Sequence, residues 1–239
     1  MGKSKDLATG ETRFVNTAGD TMSGTLNVNG GNFYLAPDDA AAHRYMFLNT
    51  GASQDGHIVL QRGLANKYQV TAKADNSYSI YGYPASGEVF NIDGSGRVTM
   101  PYQPYFWTKA GNSSAANHSG GTKVFASSTG TYGSIQETGN NFNTTTGHFT
   151  APVSGVYHFA CQIRIDSFGG SYSYLTLWDN GTVAFARDLT SQTGSYNTQT
   201  VSASRYLSAN DYVYALFVTA GDTSTTISSD SFFTGHLVG

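Results

Sequence analysis

The residues best suited by type to do chemistry are six histidines, His43, His57, His118, His148, His158 and His236, and none of them falls in an HExxH or comparable metal-ligand spacing. They read as hydrogen-bonding residues of strands and loops. Cys161 is the only cysteine, so neither an internal disulfide nor a CxxC metal site can form, and at an alternating inward position it reads as a small buried hydrophobe. Asp93-Gly94-Ser95-Gly96 opens like a calcium loop but lacks the later acidic ligands and the length of an EF-hand, which makes it a hairpin turn. The serines include no GxSxG elbow, and no glycine-rich phosphate loop leads from a strand into a helix. A polysaccharide-cleaving enzyme would need two carboxylates in one groove, and an acid content this low argues against such a pair. The expectation is a non-enzyme without a cofactor, and the sequence names no metal ligand.

What remains is binding. Tyrosine offers a large contact area with a polar tip at low entropic cost; of the polar, glycine-containing loops at Ser167–Tyr172, Thr190–Asn197 and Gly221–Thr226, the first two carry one. Tyr172, Tyr196, Phe168 and Asn197 are the candidate receptor-binding residues. The Asn-x-Ser/Thr matches at Asn112, Asn117 and Asn143 follow from a composition rich in all three residue types.

The elements that must hold these loops are strands. Twenty-eight glycines, 16 tyrosines and 14 phenylalanines, with only 12% charged residues, describe a turn-rich β protein, and no sustained helical period is present. In Asn141–Cys161, Phe149 ends one strand, Ala151 to Gly155 turn the chain, and Tyr157, Phe159, Cys161, Ile163 and Ile165 form one face of the next strand. Tyr172–Trp178 and Tyr212–Val218 alternate two apolar faces, which predicts cover on both sides. For Tyr212–Val218 that cover is either a neighbouring subunit or a loop of the same chain. Earlier in the chain, short strands are predicted at Arg44–Leu48, His57–Gln61, Tyr68–Thr71, Tyr78–Tyr81 and Val89–Ile92, punctuated by Asn-Thr-Gly, Asp-Gly and Asp-Asn turns. Pro101 and Pro104 mark a boundary, because each removes a ladder donor.

A formal net charge of −3 without any Lys/Arg cluster gives no footprint for nucleic acid or an anionic membrane surface. Residues 1–7 lack the apolar core of a signal peptide and no apolar run is long enough to span a bilayer, so synthesis in a cytoplasm without membrane insertion is expected.

Phe142, Phe149, Gly155, Tyr157 and Phe159 are spaced as in the aromatic signature of the complement C1q globular head, and this part of the chain resembles that family. Tyr206–Val213 resembles its turn-acid-strand segment and Ser231–Leu237 its closing strand. Three positions depart from the family pattern: Thr131 replaces Phe, Glu137 replaces Asn or Asp, and Cys161 replaces an aromatic. The resemblance implies an all-β jelly roll shared with tumour necrosis factor and a homotrimer, with Phe142, Phe149, Tyr157, Phe159, Tyr212, Tyr214, Leu216 and Phe217 in core or trimer contacts. Some such heads bind calcium near the trimer axis, but no cluster here matches a ligand motif. Gly19–Val28 and Phe90–Pro101 resemble segments of bacteriophage tail-fibre and receptor-binding proteins. Together these imply three parts: an attachment arm over 1–18, a β-rich shaft or small β domain over 19–100, and a head over 101–239. The implied role is a trimeric virion fibre, made in the host cytoplasm, held by its arm to another tail or baseplate protein and touching a host glycan or protein with its head. A structural virion fibre whose head only trimerises is the alternative. A cell-encoded C1q-like lectin or adhesin would account for the head but not for the N-terminal segments.

Overall fold

The computed structural model describes residues 53–239 apart from 63, 112–115, 128–131, 192–194 and 222–223. The arm, the Gly19–Val28 segment and the strand expected at Arg44–Leu48 lie outside the described residues. Among those described, every helix or strand element is a β-strand.

The first five strands are β1 (Gly56–Arg62), β2 (Ala65–Ala72), β3 (Tyr78–Gly82), β4 (Gly87–Ile92) and β5 (Val98–Thr99), paired antiparallel in chain order as a meander. The turn signals act where the sequence places them. Asp93 closes the β4–β5 hairpin, its carboxylate accepting from the amides of Ser95 and Arg97 at 2.9 and 3.0 Å and from Arg97 Nε at 2.6 Å. The hydrogen bonds from Arg97 hold the Asp93 carboxyl below its usual range. One side of this sheet is a polar network in which Gln69 joins His57, Thr71 and Tyr83, while Lys73 and Asn91 hold Glu88. The other side is apolar, with Ile58, Val70, Ile80 and Phe90 aligned across four strands.

Met100 to Pro104 lead into a two-sheet sandwich. Tyr102 donates its hydroxyl to Ala85 O at 2.8 Å and Gln103 donates Nε2 to Leu237 O at 2.7 Å, so the linker is tied at both ends. The sandwich comprises β6 (Tyr105–Ala110), β7 (Tyr132–Thr138), β8 (Phe142–Asn143), β9 (His148–Thr150), β10 (Gly155–Ser167), β11 (Tyr172–Asp179), β12 (Val183–Ser191), β13 (Asn197–Leu207), β14 (Tyr212–Ala220), β15 (Thr226–Ile227) and β16 (Phe232–Leu237). One sheet runs β13-β10-β16-β6-β7, with β15 also on β10, and the other runs β12-β11-β14-β9-β8. The chain crosses between the two sheets at β7–β8, β9–β10, β10–β11, β12–β13, β13–β14 and β14–β15, which is the jelly-roll arrangement expected from the sequence.

Strand β10 alternates as predicted, with Tyr157, Phe159, Cys161, Ile163 and Ile165 each fully buried. Phe106 sits at the centre of the core, stacked on Phe142 and Phe149 at ring-centroid distances of 5.0 and 4.8 Å and edge-on to Phe233 at 4.8 Å. Gly235 lies opposite both Phe159 and Phe106 in the ladder, and a Cβ there would meet their rings at 2.6 and 2.7 Å. Only glycine lets the two rings approach over β16. Polar groups close the seam between the sheets, with Ser173, Gln199 and Asp179 buried and Arg205 half-exposed. Ser173 Oγ donates to Gln199 Oε1 at 3.1 Å, Gln199 Nε2 donates to Ser173 O at 3.1 Å, and the Arg205 guanidinium pairs with Asp179 at 2.9 Å. Burial raises the Cys161 thiol well above its ordinary range and suits it to packing, not reactivity. Glu137 Oε2 accepts from the Phe142 amide at 2.9 Å, a link that fixes the strand carrying the first aromatic of the signature.

Candidate recognition tip

The β-ladder decides which loops meet. Tyr172 pairs with Ser191 on one side and Ala220 on the other, and Ile165 pairs with both Asn197 and Ile227. The loops after β10, β12 and β14 therefore emerge at one end of the sandwich. Ser171 N donates to Ala220 O at 2.9 Å and Ser167 Oγ to Thr226 Oγ1 at 3.0 Å, tying the first and third of these loops together.

Two tyrosines face solvent at this end. Tyr172 is 42% exposed and Tyr196 is 74% exposed. Tyr196 is also held at φ +64°, in the left-handed region that costs a non-glycine residue roughly 1–2 kcal/mol. Its ring lies 5.9 Å from the Arg164 guanidinium, which pairs with Asp166 at 2.8 Å and also with Asp230. One cation is thus shared between two carboxylates beneath an exposed aromatic ring. Such a surface can stack on a flat apolar face and hydrogen-bond at its rim.

The other two predicted tip residues face inward or along the strand. Phe168 is half-buried against the sandwich core. Asn197 begins β13, and its Oδ1 accepts from the neighbouring Thr198 amide at 2.6 Å. Residues 192–194 and 222–223 of the predicted loops lie outside the described residues.

The residues expected in core or trimer contacts divide by face. Phe142, Phe149, Tyr157, Phe159 and Phe217 are in the core. Tyr212, Tyr214 and Leu216 are on the outer side of β14, beneath parts of the same chain. The His148 ring lies parallel to Tyr212 at 4.5 Å and near-parallel to Tyr214 at 5.0 Å. Lys123 Nζ donates to His148 Nε2 at 2.8 Å and stands 4.5 Å over the Tyr214 ring. Thr122 bridges to Phe217, and a Cβ on Gly121 would touch Leu216 at 3.2 Å. Burial, reinforced by the Lys123 charge, pushes the His148 pKa down to about 4, so its imidazole is neutral at pH 7. At the opposite end of the sandwich, Asp211 is a turn lock. It accepts from the Ser208 amide and from Asn180 Nδ2, both at 2.8 Å, and these bonds hold its carboxyl low.

His43 lies outside the described residues, and the described histidines sit on different strands and loops. His158 and His236 neighbour each other across β10 and β16, with ring centroids 5.8 Å apart, and both ring nitrogens of His158 lie 3.1 Å from serine hydroxyls. Among the described residues no group of three or more His, Cys, Asp or Glu could hold a metal ion, and no helix is long and apolar enough to cross a membrane.

Residues 131–238 match the family model of the C1q domain. Solved structures similar to this chain include the globular domain of the zebrafish complement 1qA protein, at 20% identity over 57% of this chain and 98% of that one, with a TM-score of 0.40. The Eiger TNF of S. frugiperda is similar at 16% identity, with 58% and 94% coverage and a TM-score of 0.42. Murine APRIL is similar at 12% identity, with 57% and 98% coverage and a TM-score of 0.41. No curated protein matches the chain. Residues 131–238 are thus similar to the C1q domain, and the sandwich that contains them is an all-β jelly roll.

Proposed function

We propose that this chain is a homotrimeric fibre protein of a bacteriophage virion whose C1q-like head contacts a glycan or protein on the host surface. The observation that carries the reading is the convergence of three loops at one end of the head, with Tyr172 and Tyr196 exposed on it and Tyr196 held in a strained conformation. The fibre-like segments Gly19–Val28 and Phe90–Pro101 supply the virion part of the reading, with the arm seated in a tail or baseplate protein. Three-fold repetition would let weak single contacts add through effective concentration. Phe168 and Asn197, engaged by their own chain, support the tip only from below. The second reading, a structural virion fibre with a trimerising head, is favoured by the limited exposed aromatic area that these two leave.

The test uses the full chain. Sedimentation should give three chains per particle, and the labelled protein should adsorb to host cells. Tyr172→Ala with Tyr196→Ala should abolish most adsorption and leave the trimer intact. Adsorption equal to the parent would place recognition elsewhere, absence of adsorption by the parent would favour the structural fibre, and a stable monomer would overturn both readings.

A further inference from the structure

The five-stranded sheet β1–β5 has an apolar side whose large side chains are half-buried or exposed, with Tyr102 lying over it at the Gly87 end. Its pairing register aligns Ile58, Val70, Ile80 and Phe90 in one row, Leu60 with Tyr68 in a second, and Tyr78, Ile92 and Val98 in a third. All of these are on the same side, because directly paired residues share a face and alternate residues return to it. The edge-on contact of Tyr78 with Phe90 at 6.4 Å agrees with that assignment. The three rows carry no charge, and the one charged residue that the β1 alternation brings to this side is Arg62, at the end of the strand. Yet Ile58 is 38% exposed, Leu60 53%, Tyr68 46%, Tyr78 39% and Val98 55%. A sheet needs a second layer against its apolar face, and a contiguous exposed apolar surface marks an interface.

The opposite side explains why the sheet holds its shape without exposing that face by accident. There the polar side chains satisfy one another, Thr71 and Ser79 are buried among them, and Lys73 and Glu88 are paired. The polar side is finished within one chain and the apolar side is not.

We infer that the apolar side of this sheet is an assembly surface whose occupant is the same surface of other copies of this chain, three sheets closing on a common axis with their polar sides outward. The three rows, with Arg62 only at their edge, can pack on their counterparts without burying that charge. The linker to the head is only residues 100–104, fixed to the sheet by Tyr102 and to the head by Gln103, so a trimeric head would bring three such faces together at high effective concentration. This inference rests on the homotrimer proposed above, and it adds a second trimerisation surface, separate from the head.

The test combines sedimentation, footprinting and a proximity probe on the full chain. In the unmodified protein, hydroxyl-radical labelling should modify Leu60, Tyr68 and Tyr78 severalfold less than the 93% exposed Leu64 of the same hairpin. Pyrene maleimide on Ile80→Cys should give excimer emission, and on Val59→Cys, which is on the polar side, it should not; Cys161 is buried and does not compete. A trimer with labelled Leu60, Tyr68 and Tyr78 overturns the inference and spares the trimer. A trimer with those residues protected but no excimer also overturns it, because another segment of the same chain then covers the face. A monomer overturns the inference together with the reading on which it rests.

Discussion

The head and the sheet that precedes it are both antiparallel β-structures of similar strand chemistry, and they differ in where their apolar faces go. In the head, two sheets face each other, and Phe106, Phe142, Phe149, Phe159 and Phe233 meet within one chain. In the sheet β1–β5, the row from Ile58 to Phe90 runs across four strands and none of its residues is fully buried. The difference teaches that strand patterning alone does not say whether a face is closed by a second layer or by a second copy. The long crossings of the head bring distant strands together, whereas a meander with short hairpins returns only to its own neighbour.

The largest expected effect is on the head. Phe159→Ala removes a ring packed against Phe106, Phe149 and Phe233 and should cost roughly 3–5 kcal/mol per chain, read as a fall in melting temperature and in trimer content. An unchanged melting temperature would take this residue out of the core. Next in size is Gly235→Ala, where the new methyl must displace two rings already in contact. Overpacking of this kind should cost about 1–3 kcal/mol, measured by denaturant unfolding. To the extent that either change lowers trimer content, labelling of Leu60, Tyr68 and Tyr78 on the β1–β5 sheet should rise with it.

A smaller effect concerns acid. His148 is neutral in the folded head down to about pH 4, while in the unfolded chain it takes up a proton near its ordinary pKa of 6.5. Between pH 6.5 and 4 the unfolded state therefore binds a proton that the folded state does not, and stability falls as pH falls through that window. Below about pH 4 both states bind it and this loss stops growing. His148→Gln should flatten that part of the stability curve relative to the parent, since carboxylate titration is common to both proteins. Parallel curves would show that His148 is free to protonate between Tyr212 and Lys123.

Much of the head was legible because β10 carries a long, strict alternation and because the signature aromatics are close in sequence. Phe142, Phe149 and Phe159 were readable as one group for that reason. Phe106, the ring on which they converge, was not: Tyr105-Phe106-Trp107 is aromatic throughout and shows no period, and only the ladder with β16 selects the inward ring. The cover over Tyr212 and Tyr214 was equally hidden, since Lys123 and His148 come from segments without regular pattern, about 90 and 64 residues away in the chain. The sequence did not show that the three loops share one end, which the ladder decides, nor that Phe168 turns to the core, because an aromatic in a glycine-rich loop has the same local signature whichever way it points. The Gln199–Ser173 seam joins residues on different sheets and left no local trace.

The comparison of the two regions is tested most directly by hydrogen–deuterium exchange on the full chain, followed in β10 and in β3 while the proposed trimer is dissociated by dilution or mild denaturant. The account predicts that β10 amides stay protected in the dissociated chain and that β3 amides lose protection in step with trimer content. Equal protection of β3 in trimer and monomer would contradict it.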